Sequence, residues 1–97
     1  MICGYSTSKH LIEERSDRLV KIATTVGFGE ISYKKKIEEG RHAIFTTTGI
    51  MMITDAHDTF IITMYFANLE KVAAIFKGET PKDLLKQIHR NMKKGYV

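Results

Sequence analysis

Residues 41–66, RHAIFTTTGIMMITDAHDTFIITMYF, decide the fold predicted for this chain. They divide into three runs, residues 41–48, 50–54 and 59–66, that are rich in β-branched and aromatic side chains. The breaks between the runs, at Gly49 and at residues 55–58 (DAHD), have the composition of turns. Connections this short join antiparallel neighbours, so the segment predicts a three-stranded meander.

The third run has two distinct faces, because successive side chains of a strand point to opposite sides. One face carries only apolar side chains, Phe60, Ile62, Met64 and Phe66. We expect this face to pack on a helix. The other face carries Ile61, Thr63 and Tyr65, and its two polar members are free to line an open face or a cleft.

A helix is predicted before the sheet, over residues 8–26, where apolar side chains recur at three- and four-residue steps. Thr7 or Ser8 can cap its first amides, and Gly27 can end it. Residues 30–40 fit either a strand or a helix. We favour an edge strand, whose lysines would discourage pairing with a second chain.

Two further helices are predicted after the sheet. Asn68 can cap a short helix that ends near Gly78, and Thr80 can cap a longer one with Pro81 at its first position. The prediction is therefore a single α+β domain over residues 1–97, with an N-terminal helix on a small antiparallel meander and one or two C-terminal helices.

Composition and charge indicate the cellular compartment and the type of partner. The single cysteine, Cys3, cannot form an intramolecular disulfide, which favours a cytoplasmic location, and we expect neither a signal peptide nor a membrane span. The formal net charge of +4 suits a polyanion partner such as RNA, although many small proteins are mildly basic without a specific reason.

The first helix carries residue types suited to phosphate chemistry. His10, Glu14 and Arg18 follow at four-residue steps and share one face. Histidine transfers protons near neutral pH, and a guanidinium binds phosphate oxygens through paired donors. The alternative is an ordinary surface helix in which Glu14 and Arg18 form an ion pair.

Basic residues elsewhere are candidates for nucleic-acid binding. They are Arg15, Lys34, Lys36 and Arg41. His42 follows Arg41 but points to the opposite face of its strand, and it suits a partly buried structural role. His57 stands between Asp55 and Asp58, but a turn rich in aspartate explains this group, and we expect no metal and no cofactor.

The order of these features resembles the BECR superfamily of small ribonucleases, named for barnase, EndoU, colicin and RelE. The resemblance rests on Thr7-Ser8-Lys9-His10 at a helix start, on Arg18, on residues 41–45 (RHAIF) and on residues 61–65 (IITMY). The chain departs from the family pattern one turn after His10, where Glu14 stands in place of arginine and Arg15 comes one position late.

The resemblance implies a metal-independent endoribonuclease, toxin-like, that cleaves through the ribose 2′-hydroxyl. Carried over, His10 is the general acid or base, Arg18 binds the phosphate, and Thr63 and Tyr65 contact the scissile group. An alternative is a non-catalytic interaction module of a mobile element that binds nucleic acid or an acidic protein, such as a neutralising or target protein. A third is a house-keeping subunit that forms a homodimer through apolar side chains on the meander.

Overall fold

A computed structural model describes residues 2–97 of the protein, apart from the side chain of Glu39. In the described residues, one helix lies between the first two strands and two helices follow the last strand. In chain order the elements are β1 (Ser6–Thr7), α1 (Lys9–Thr25), β2 (Ile31–Lys36), β3 (His42–Thr46), β4 (Ile50–Thr54), β5 (Phe60–Phe66), α2 (Leu69–Phe76) and α3 (Lys82–Lys93). A 3-10 turn, Glu38–Gly40, stands between β2 and β3.

The strands form one five-stranded sheet in the order β1-β5-β4-β3-β2. Strands β2 to β5 pair as antiparallel neighbours, which confirms the α+β class and the meander. Residues 30–40 supply the edge strand β2, and their helical alternative is limited to the 3-10 turn. Strand β1 pairs with β5 in parallel, which makes the sheet mixed. Two residues are too few to show a strand pattern, so the sequence did not indicate β1.

Strand β4 is buried along its whole length, because helices cover both faces of the sheet. Helix α1 lies on one face, with a core of Leu11, Ile22, Ile44, Ile50, Met52, Ile61 and Met64. Helices α2 and α3 lie on the other face, with a core of Ala43, Phe45, Met51, Ile53, Ala67, Val72, Phe76, Leu84 and Ile88. The homodimer prediction assumed an apolar sheet face left for a second copy, but the chain's own helices cover both faces.

The face assignment of β5 is partly wrong, because a β-bulge interrupts the strand. Ile53 of β4 pairs with Thr63, and the next residue, Thr54, pairs with Ile61, so Ile62 is the extra residue. Met64 therefore packs under α1 as predicted, but Ile61 takes the place expected for Ile62.

The helix termini follow the predicted chemistry at two of three N-caps. The Ser8 hydroxyl accepts a hydrogen bond from the Leu11 amide, and the Asn68 side chain accepts one from the Lys71 amide. The predicted Thr80 cap of α3 is wrong: Pro81 occupies the cap position, and no side chain caps this helix. The predicted place of Pro81 at the first helical position is wrong by one residue, and its φ of −57° with ψ of 139° is the extended backbone usual for an N-cap residue.

Asn91 links α3 to the β3–β4 turn through a side-chain hydrogen bond. Its side chain is 1 % exposed, donates a hydrogen bond to the Thr48 carbonyl over 3.0 Å and accepts one from Gln87. The neighbouring Gly49 has a φ of 81°, and a Cβ at this position would lie 2.5 Å from Asn91 Nδ2. A glycine at position 49 thus permits both the turn and the close approach of α3.

We predict that Gly49→Ala lowers the free energy of unfolding by at least about 2 kcal/mol, because it strains the backbone and displaces a buried amide. Gly78→Ala is the matched control, since Gly78 has a φ of 83° and open space around its Cβ. The control has backbone strain alone, about 1 kcal/mol. Urea unfolding followed by circular dichroism measures both variants, and equal losses would show that the contact with Asn91 is unimportant.

Candidate nucleic-acid interface

A cleft of about 710 Å³ opens on the α2 face of the sheet. Three parts of the chain form it: the β2–β3 connection, the bulged strand β5 with its neighbour β4, and the end of α2. The lining residues are Lys36, Ile37, Glu38, Arg41, Ile53, Ile62, Thr63, Tyr65, Ala74, Ile75 and Lys77. The bulge has a direct part in this cleft, because it brings Ile62 to the cleft face together with Thr63.

The charge of the cleft lining is positive. Lys36, Arg41 and Lys77 contribute three cations, and Glu38 contributes one carboxylate. Thr63 and Tyr65 add two hydroxyl groups beside an aliphatic floor that includes Ile53. Cations at the rim, hydroxyl donors and apolar surface together suit a ligand that carries both phosphate and less polar groups.

Tyr65 forms the boundary between this cleft and a second hollow. The Lys71 ammonium lies 4.1 Å from the centroid of the Tyr65 ring, which is a cation–π contact. The second hollow, of about 380 Å³, lies beside α1, and Arg18 and Tyr65 both line it. Tyr65 therefore contacts both hollows from a position on β5.

Lys77 reaches the cleft from a strained backbone position. It is the C-cap of α2 and has a φ of 53°, in the left-handed region where glycine is usual. A lysine at such a position costs backbone energy that a glycine would avoid. A strained residue that also lines a cleft is a candidate for function.

The four predicted catalytic residues are only partly brought together. Thr63 and Tyr65 line the cleft, and Arg18 meets Tyr65 at the second hollow. His10 belongs to α1, on the opposite face of the sheet, where its side chain is more than half exposed. Its Nδ1 lies 3.3 Å from Glu14 Oε2, so Glu14 pairs with His10 and not with Arg18 as the alternative assumed. Arg18 instead donates a hydrogen bond to the Met64 carbonyl over 3.3 Å.

The four predicted nucleic-acid-binding residues do not all lie at one site. Lys36 and Arg41 line the cleft. Lys34 lies outside it and forms an ion pair with Asp58, while its ammonium also donates a hydrogen bond to the Tyr5 hydroxyl. Arg15 is exposed on α1, where its φ of −127° interrupts the helix.

Two cleft residues, Glu38 and Lys77, were not among the predicted site residues. Glu38 belongs to the segment that fitted both strand and helix, and Lys77 was interpreted as part of a helix end. Lys77 joins the cleft through the approach of α2 to the β2–β3 connection, a long-range contact that the sequence does not signal. Glu38 lies in the same connection as Arg41, and its placement depends on the 3-10 turn Glu38–Gly40. The Asp-rich turn 55–58 was correctly assigned to the hairpin.

The carboxylates of Asp55 and Asp58 in that turn accept hydrogen bonds from other residues of the protein. The amides of Phe60 and Thr59 donate to Asp55 and hold the pKa of its carboxyl at about 2, below the ordinary 3.8. Burial alone would raise the pKa of Asp58, but hydrogen bonds from Lys34, Thr54 and Tyr5 outweigh it and lower this pKa. Within residues 2–97, no group of three or more histidine, cysteine, aspartate and glutamate side chains could hold a metal ion.

Comparisons with protein-family models, with curated proteins and with solved structures find no match to this chain. The resemblance to BECR ribonucleases therefore stays an expectation. In the described part of the chain, none of the helices has the length and apolar composition needed to cross a membrane.

We predict that the free energy of unfolding falls as the pH drops from about 4 to about 2. The carboxyl of Asp55 has a lower pKa in the folded protein than in the unfolded chain, so its ionised form stabilises the fold. This stabilisation is complete above the unfolded-state pKa near 3.8 and is lost as the pH falls through about 2. Asp55→Asn removes this titration and should weaken the pH dependence over that interval. Urea unfolding at pH 5, 4, 3 and 2 makes the comparison, and parallel curves for the two proteins would contradict the role of Asp55.

Proposed function

We propose that this protein is an RNA-binding module whose cleft holds the phosphate backbone of a single strand. One observation supports this most: Arg41, Lys36 and Lys77 line one cleft with the hydroxyls of Thr63 and Tyr65. The net charge of +4 agrees with a polyanion ligand. A cytoplasmic location belongs to the proposal, since RNA is there and a chain with a single cysteine needs no oxidising compartment.

The cleft residues would recognise RNA through both charge and shape. Arg41 offers a planar guanidinium that binds phosphate oxygens through two parallel hydrogen bonds, and the lysines act as point charges. The hydroxyls of Thr63 and Tyr65 can bond phosphate oxygens or ribose 2′-hydroxyls. The aliphatic floor offers apolar surface to a ribose or a base. Exposed bases and an accessible backbone make a single strand the better fit for such a cleft than a closed duplex.

RNA cleavage in the same cleft is a second candidate, and the presence of Glu38 in the same lining as Arg41 and Tyr65 favours it. The ribose 2′-oxygen would attack phosphorus as its proton passes to the Glu38 carboxylate. The 5′-oxygen would leave with a proton from the Tyr65 hydroxyl, giving a 2′,3′-cyclic phosphate and a 5′-hydroxyl end. Arg41 and Lys36 would stabilise the extra negative charge at phosphorus.

The cleavage candidate moves the proton-transfer role away from His10. His10 lies in the α1 layer and pairs with Glu14, whereas the cleft is on the α2 face. A general acid or base must come within hydrogen-bond reach of the reacting oxygen. Thr63 keeps the contact role that the ribonuclease resemblance implies, Tyr65 takes the role of general acid in addition to contact, and Glu38 replaces His10 as the general base.

For the binding proposal, Lys77→Gly is the most informative variant, because it separates binding from folding. Removing the cation should weaken binding to a short single-stranded RNA several-fold and reduce the salt dependence of log K by about 0.7. Stability should stay equal or rise by up to about 1 kcal/mol, since glycine accepts the left-handed φ without strain.

Lys93→Gly would disrupt a helix, so the matched charge control is Lys93→Ala on α3. Fluorescence anisotropy at several salt concentrations compares both variants with the wild type. If Lys77→Gly and Lys93→Ala lower the RNA affinity equally, binding depends on net charge and not on the cleft.

For the cleavage candidate, we expect wild-type protein to cut RNA without added metal and to leave DNA of the same sequence intact, because only RNA carries the internal nucleophile. Glu38→Gln should lower the rate about a hundredfold, as loss of a general base does. His10→Ala should leave it unchanged. The measurement is incubation with cellular RNA followed by gel analysis of the products. If the wild-type protein gives no product, only the binding proposal remains. If product is lost only in His10→Ala, His10 and not Glu38 is the catalytic residue.

A further inference from the structure

A third hollow, of about 230 Å³, lies between helix α3 and the strands β2 and β3. It is on the same face of the sheet as the cleft, because α2 and α3 pack on that face together. The residues that line this α3 hollow are Ser32, Tyr33, Thr46, Thr47, Asp83, Leu84, Lys86, Gln87 and Arg90.

The charge of the α3 hollow is positive. Lys86 and Arg90 contribute two cations, and Asp83 contributes one carboxylate. The Tyr33 hydroxyl donates a hydrogen bond to this carboxylate over 2.7 Å, so the carboxylate already has a partner. Among the described residues, neither Lys86 nor Arg90 takes part in an ion pair. Both cations can therefore bind an anionic ligand, and serine and threonine hydroxyls line the same hollow.

A series of side-chain hydrogen bonds positions Arg90 at the hollow. Its Nη1 donates to Gln87 Oε1 over 3.3 Å, and Gln87 Nε2 donates to Asn91 Oδ1 over 3.2 Å. The buried Asn91 in turn donates to the Thr48 carbonyl. A guanidinium that is already oriented loses less side-chain freedom on binding, and its paired donors fit phosphate oxygens.

Strand β2 connects the α3 hollow with the cleft. Tyr33, Lys35 and Ile37 alternate to one face of the chain, and Tyr33 and Ile37 both pack on the α2–α3 core. Tyr33 lines the α3 hollow and Ile37 lines the cleft. Between them, the Lys35 ammonium lies 5.5 Å from the centroid of the Phe76 ring. Four steps of extended chain span about 13 Å, so one short strand of RNA can reach both hollows.

The surface along β2 is exposed and cationic. This strand is the last in the sheet, and five of its six residues are exposed. Its sequence, ISYKKK, contains no acidic residue, and the cleft continues the positive charge with Arg41 and Lys77. A continuous row of cations matches a nucleic-acid backbone, which carries one negative charge at every nucleotide.

We propose that a single strand of RNA held in the cleft continues along β2 and places a further phosphate in the α3 hollow, on Lys86 and Arg90. This inference rests on the proposed RNA-binding function and adds the course of the strand. Lys35 contacts the backbone between the two hollows. The cleft alone holds a short strand, and a longer strand gains affinity until it reaches α3.

Oligouridines of three, five and eight nucleotides test this course, with NMR titration for the short strands and fluorescence anisotropy for the longest. Lys86→Gln with Arg90→Gln should lower the affinity for eight nucleotides about fivefold or more. The salt dependence of log K should fall by about 0.7, the value for one phosphate contact. The affinity for three nucleotides should stay unchanged, because the cleft holds this strand.

The matched control is Lys93→Gln with Lys94→Gln. It removes two charges from the end of the same helix, and neither residue lines the α3 hollow. This control should change the affinity for either strand much less. Circular dichroism with urea unfolding checks that both double variants are folded.

A spin label on the RNA locates its ends. On the eight-nucleotide strand, a label at one end should broaden the amide NMR signals of Ser32 and Thr47 at the α3 hollow. A label at the other end should broaden the amide signal of Lys77 at the cleft. On the three-nucleotide strand, only the Lys77 signal should broaden.

Four results would overturn the inference, and they separate it from the cleft proposal. Equal affinity for three and eight nucleotides, or equal losses in the two double variants, would show that the strand does not use the α3 hollow, while the cleft proposal stands. Binding of no RNA strand would reject the proposed function itself. Equal displacement of the RNA by a glutamate peptide of the same charge would assign the surface to an acidic protein segment. Unchanged binding in Lys77→Gly, with losses for both lengths in the Lys86 and Arg90 variant, would place the RNA at α3 and not in the cleft.

Discussion

The structure depends on the burial of β4 from both sides. This strand carries consecutive apolar residues, Ile50 to Ile53, and alternate side chains of a strand point to opposite faces. One helical layer would leave half of these side chains in water, at a cost of about 25 cal/mol for each Å² of apolar surface. Helix α1 covers one half and helices α2 and α3 cover the other. The three-layer arrangement follows from this requirement.

Covering the second face also creates the candidate site. Helix α2 must return across the sheet after β5 to bury Val72 and Phe76, and its end then stands opposite the β2–β3 connection. The bulge at Ile62 contributes by shifting the side chains of β5 by one position relative to β4. The cleft thus lies between helix, bulged strand and connection. The end of α2 and the β2–β3 connection contribute its charged residues, and β5 contributes the hydroxyl groups of Thr63 and Tyr65.

The two hollows beside β5 share one boundary residue, Tyr65. Its ring lies under Lys71, and its strand separates the cleft from the hollow beside Arg18. Cations line both hollows: Lys36, Arg41 and Lys77 line the cleft, and Arg18 and Lys21 line the second hollow. Tyr65 therefore lies between two positively charged surfaces on opposite faces of the sheet.

The sequence by itself determined the meander, helix α1 with a cap at Thr7 or Ser8, helix α2 with its Asn68 cap, and the α+β class. Each of these follows from local chemistry: the period of apolar side chains, the turn composition at Gly49 and residues 55–58, and side chains that accept hydrogen bonds from free amides. Thr63 and Tyr65 were also identified as polar members of a strand face. Only the tertiary structure decided the bulge, the parallel pairing of β1, the separation of His10 from Thr63, and the presence of Lys77 and Arg41 in one cleft. The physical reason is that these features come from contacts between distant parts of the chain, where packing of the whole core outweighs the preference of any short segment.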